Sequence, residues 1–110
     1  MYHRVHGSST TGGITTYLNA ACPDVWGSDK VGAKIVWAAG THEAQGSGMM
    51  SSSISENEWS IGYIDAGHGH DDGLQEIELA NAAGVYRSSL EAAEVNGVPN
   101  AADAALALGW

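Results

Sequence analysis

At 110 residues and 11.4 kDa the chain has room for one domain, on the usual ~100–200 residues per domain. Apolar residues make up 44 % of it and charged residues only 15 %, which supplies a modest core and argues against wholesale disorder. Thirteen Asp and Glu against four Lys and Arg give a net charge of -9, a field that repels nucleic acid and anionic membranes; the four cations, Arg4, Lys30, Lys34 and Arg87, form no run, so nucleic-acid binding is excluded.

The first element signal is Gly7 to Gly13, a Ser/Thr/Gly turn that leads into a helix beginning near Gly12. Ile14, Tyr17, Leu18 and Ala21 follow at i, i+3, i+4 and i+7, one helical face, and Pro23 and Asp24 end it. Cys22 lies beside that face and reads as a small buried hydrophobe; a single cysteine builds neither a disulfide framework nor a Cys-based zinc site. Lys34 to Trp37 reads as a strand closed by Gly40, because β-branched and aromatic residues suit a pleated surface. Gly46-Ser47-Gly48 opens a second helix over about Met49 to Ser55. Trp59 to Ile64 and Leu74 to Leu79 read as further strands, and the alanine-rich stretch Ala101 to Leu108, with Asp103 near its start, as a helix. Trp26, Trp37 and Trp59 are assigned to packing.

Together these segments predict a single α/β domain over residues 1–110, with a central mixed sheet of four or five short strands and helices on its faces. No apolar stretch approaches the ~20 residues needed to span a bilayer, and no signal-peptide pattern is visible in the chain.

The chemistry concentrates in Arg4-Val5-His6-Gly7-Ser8-Ser9-Thr10-Thr11-Gly12. A hydroxyl-rich turn directly before a helix gathers unpaired backbone N–H groups, hydroxyls and the positive end of the helix dipole. That combination suits an anion, and Arg4 adds a charge-assisted fork for a tetrahedral oxyanion. Plain N-capping by Ser or Thr is the structural alternative. Gly7 and Gly12 have the spacing of a nucleotide-binding P-loop, but Gly13 and Ile14 stand where Lys and Ser/Thr are required. No nucleophile–base pair is visible, so no enzyme is expected, and no motif calls for a cofactor.

The order of landmarks resembles the phosphate-binding proteins of ABC phosphate transporters, the PstS type that includes the DING proteins. Arg-x-x-Gly-Ser-x-Thr at 4–10, Thr16-Tyr17-Leu18, Val31-Gly32, Val36-Trp37 and Ile61-Gly62-Tyr63-Ile64 follow the family text R-S-D-G-S-G-T, T-x-Y-L, V-x-W-P and I-G-Y-V over roughly residues 1–88. The resemblance implies the second lobe of a type II periplasmic-binding-protein-like receptor, located in the periplasm or outside the cell. It implies that Arg4 pairs with phosphate oxygens, that Ser8 and Thr10 donate hydroxyl and backbone hydrogen bonds, and that Gly7 and Ser9 present backbone to the ligand.

Departures from the family accompany the match. His6 stands in place of an arginine-orienting aspartate, as a second layer of the site, and Ser9 replaces a glycine. Ala38 replaces a proline, and the loop before the second helix is rewritten as Ala44 to Gly48. Segments matching the first lobe are absent.

His68-Gly69-His70-Asp71-Asp72 offers four metal-ligand types in five residues but reads as a solvated loop, so no metal is assigned. Glu56 and Glu58 receive no role. The competing reading for the whole chain is a structural or interaction subunit that has lost ligand binding, its uncovered apolar surface packing on a partner chain, a missing lobe or a second copy of itself.

Overall fold

The computed structural model describes residues 1–91. The helix expected over Ala101 to Leu108 lies outside them. Two compact units are distinguished, Met1–Ile64 and the stretch from Asp65 onward.

In the first unit the order is β1 (Tyr2–Arg4), α1 (Ser9–Ala21), a 3-10 turn (Ser28–Lys30), β2 (His42–Ala44) and α2 (Gly46–Glu56). β1 and β2 pair in parallel, Tyr2 opposite His42, His3 opposite Glu43 and Arg4 opposite Ala44. Parallel neighbours need a long crossover, and α1 with the following loop supplies it. On its other side β1 meets the segment around Ile61, whose carbonyl accepts the Tyr2 N–H at 2.8 Å.

α1 starts at Ser9, earlier than its apolar periodicity suggests, because Ser8 caps it: the Ser8 side chain accepts the Thr10 N–H at 3.2 Å. The buried residues of α1 are Thr11 and Thr15, with Ile14, Tyr17, Leu18 and Ala21 only half-buried. Hydroxyls tolerate this position because both are bonded. Thr15 Oγ1 donates to Thr11 O at 2.8 Å and meets the Gly32 backbone, and Thr11 Oγ1 meets the Tyr63 hydroxyl at 2.7 Å. The core is completed by Ala44, Met50 of α2 and Tyr63. α2 packs against the backbone at Gly62, where an added Cβ would sit 2.8 Å from both Met50 Sδ and Ile54 Cδ1.

In the second unit, α3 (Ala66–Asp71) is followed by the antiparallel pair β3 (Leu79–Ala80) and β4 (Tyr86–Arg87). Asp65 caps α3 by accepting the His68 N–H at 3.0 Å. Asn81 shapes the hairpin, its Oδ1 accepting from Ala83 and Val85, with Gly84 at φ +79. The chain turns helical again at Ser89.

The mixed α/β class holds, but the sheet is smaller than expected: the described residues carry two separate two-stranded sheets in place of a central sheet of four or five strands. Lys34–Trp37 and Trp59–Ile64 run without ladder assignment, and of Leu74–Leu79 only Leu79 enters a strand. The Trp37 ring packs by stacking with His3 (4.9 Å) and Tyr63 (5.7 Å), with Trp26 tilted against it at 5.9 Å. Packing holds for Trp26 and Trp37 but not for Trp59, which is 100 % exposed at a φ of 62. Cys22 is exposed too, because α1 ends there and its N–H closes the last turn onto Leu18 O. The expected loop at His68 to Asp72 is mostly helix α3.

Candidate functional site

The end of β1 and the start of α1 meet through one side chain. Arg4 is the last residue of β1, and its backbone N–H donates to the Tyr63 hydroxyl at 2.9 Å. The same hydroxyl lies 2.7 Å from Thr11 Oγ1 in the first turn of α1. Arg4 and the N-terminus of α1 are therefore two hydrogen bonds apart.

The Arg4 side chain is half-buried, and its Nε is fully buried with no hydrogen-bond partner; among the described residues it has no ion pair. A buried donor left unmade costs roughly 1–3 kcal/mol, more when the group is charged. Among the described residues no acceptor meets it.

The helix N-terminus is partly spent inside the fold. Ser8 N–H donates to Ala33 O at 2.8 Å and Thr10 N–H to the Ser8 hydroxyl oxygen. Two of the backbone donors expected for a ligand are thus already engaged, because the same turn must cap α1. Helix geometry leaves the N–H groups of Ser9 and Thr11 without intrahelical acceptors. The hydroxyls of Ser9 and Thr10 make no hydrogen bond among the described residues, and the Ser8 hydroxyl keeps its own hydrogen to donate.

Gly7 lies beside this turn in ordinary backbone conformation. A methyl placed on it would lie 3.9 Å from Ala33 O and 4.0 Å from Lys34 Cβ. The chain itself therefore does not require glycine there. The same geometry reveals a cation that the strand reading of Lys34–Trp37 hid: Lys34 is exposed next to the Gly7–Ser8 turn. His6 is exposed in the bend between β1 and that turn.

The acidic–histidine run behaves differently. His68 Nε2 pairs with Asp72 at 3.1 Å along α3, while His70 Nε2 turns to Glu76 at 3.3 Å and Ser89 Oγ at 2.9 Å. Among the described residues no group of three or more His, Cys, Asp or Glu is placed to hold a metal ion. Nor is any described helix long and apolar enough to cross a membrane.

No protein-family model matches the chain. It is 31 % identical over 84 residues, 76 % of its length, to the phosphate-binding protein PstS of Haemophilus influenzae. The chain spans about a quarter of that relative, 25 % of its length. The relative is by its name a binding protein, and the match supports a distant PstS-like relationship.

Proposed function

We propose that the chain binds phosphate or a similar tetrahedral oxyanion at Arg4, Gly7, Ser8, Ser9 and Thr10, with His6 in a second layer beside them. The observation that carries this reading is the buried, unpartnered Arg4 Nε on a residue whose backbone is tied through the Tyr63 hydroxyl to the first turn of α1. In this reading Arg4 supplies charge and a planar fork, the Ser9 N–H and the Ser8, Ser9 and Thr10 hydroxyls supply directed donors, and Gly7 lets the ligand approach the backbone. The 110 residues would form one domain, most of the second lobe of a type II periplasmic-binding-protein-like receptor working outside the cytoplasm. The distant PstS relationship supports this.

The proposed set contains no carboxylate. Telling phosphate from sulfate strongly needs a charged acceptor for the phosphate proton, which hydroxyls that can equally donate do not supply. Titration calorimetry with inorganic phosphate and sulfate should therefore give affinities within about tenfold of each other, ~1.4 kcal/mol. A hundredfold preference for phosphate requires an acceptor elsewhere. No heat at millimolar concentrations of either anion overturns the binding reading for this chain.

Exposed apolar side chains favour a second reading, a protein-interaction subunit. Val25, Val36 and Trp59 are 77, 94 and 100 % exposed. Sedimentation at several concentrations tests it: a monomer at all of them counts against self-association.

A further inference from the structure

We infer that the Tyr63 hydroxyl is a positioning group for oxyanion binding, holding Arg4 and the first turn of α1 at a fixed separation; this rests on the reading above. Tyr63 is buried, its ring is stacked on Trp37, and its hydroxyl is the shared partner of Arg4 N–H and Thr11 Oγ1. Thr11 is itself 1 % exposed, so neither end of the link is free to drift. A site assembled from the end of a strand and the start of a helix depends on that separation, because a charge-assisted hydrogen bond is short and directional.

Counting hydrogens strengthens the case. Arg4 N–H, Tyr63 O–H and Thr11 O–H bring three hydrogens to two hydroxyl oxygens. The Arg4 N–H takes one place on Tyr63, and one hydroxyl hydrogen makes the Tyr63–Thr11 bond. The other hydroxyl hydrogen has no acceptor among the described residues, like the Arg4 Nε–H. Among the described residues no carboxylate meets this junction, so its fixed spacing comes from the hydroxyl link alone.

Tyr63→Phe removes the hydroxyl and keeps the stack. NMR titration with inorganic sulfate on the full chain, following the Arg4 Nε–H and Ser9 amide signals, should show the affinity reduced about tenfold. The sulfate-induced shift of Arg4 Nε–H should shrink, because the Arg4 backbone is no longer tied to the first turn of α1. Thr11→Val should give the same loss, the double variant no further loss, and Thr11→Ser near-normal binding. Where Tyr63→Phe fails to fold, Thr11→Val cuts the same link from the other side. Unchanged sulfate affinity and an unchanged Arg4 shift in either folded variant, beside a wild-type chain that binds, overturn the positioning role alone. A wild-type chain whose signals do not move with sulfate overturns the oxyanion reading, and the positioning role falls with it.

Discussion

The two arginines on either side of Asp65 have opposite circumstances. Arg87 sits on β4 with Glu91 at 3.6 Å, and its neighbours are paired in the same way: His68 with Asp72, His70 with Glu76. Arg4, at the end of β1, has hydroxyls and aromatic rings around its strand and no carboxylate among the described residues. Paired charges hold local geometry and are individually worth little at a surface. An unpaired, half-buried guanidinium is a standing cost that a bound anion would offset. Among the described residues all three ion pairs lie beyond Asp65, and Arg4 has none.

The largest effect expected from that contrast is at Arg4. Arg4→Met keeps the apolar stem and removes the charge, so sulfate affinity should fall a hundredfold or more, ~2.7 kcal/mol, while the melting temperature stays level or rises. Arg87→Met should leave sulfate binding untouched and change stability by no more than about 0.5 kcal/mol. Calorimetry and thermal melts on both variants check this. Equal losses of stability in the two would erase the distinction.

A smaller effect concerns His6. Its ring is exposed between β1 and the Gly7–Ser8 turn, in the proposed second layer. His6→Asn should weaken sulfate binding about threefold, far less than Arg4→Met. An unchanged affinity removes His6 from the site.

The smallest effect lies in the second unit. Ser88 and Glu91 cap reciprocally, Ser88 N–H donating to Glu91 Oε1 at 3.2 Å and Glu91 N–H to Ser88 Oγ at 3.2 Å. Hydrogen bonds from the Ser88 backbone and side chain hold the Glu91 carboxyl below its ordinary value. Its folded pKa is thus lower than its unfolded one, so its contribution to stability is present above the unfolded value and is lost as the pH falls through the folded one. The protection of the Ser88 and Glu91 amides from exchange, relative to their intrinsic rates, should fall on acidification below the ordinary carboxylate range, and Glu91→Gln should remove that response. Sulfate binding should follow neither.

The helices were legible because their signals are local. α1 starts at Ser9 and α2 at Gly46, each three residues before the starts expected near Gly12 and Met49. The strands were not. Tyr2-His3-Arg4 and His42-Glu43-Ala44 have no apolar alternation, and their pairing joins segments some forty residues apart through a crossover that no local pattern encodes. Lys34–Trp37 has strand composition, but its tryptophan is claimed by an aromatic stack. The glycines of α3 argued for a loop, while the Asp65 cap and the His68–Asp72 pair favour a helix. At the candidate site, Arg4 and the hydroxyl turn were readable as residue types. That capping would consume two of their backbone donors, and that Tyr63 would join them, depended on contacts far apart in sequence.

Gly62 gives the first unit a mechanical property. Met50 and Ile54 rest on bare backbone there, with less room than a methyl group requires, so α2 bears directly on the segment carrying Tyr63. α2 contributes no residue to the candidate site, yet it acts as the clamp behind the tyrosine. Because α2 also packs on β1, which carries Arg4, it backs both ends of the Arg4–Tyr63 hydrogen bond.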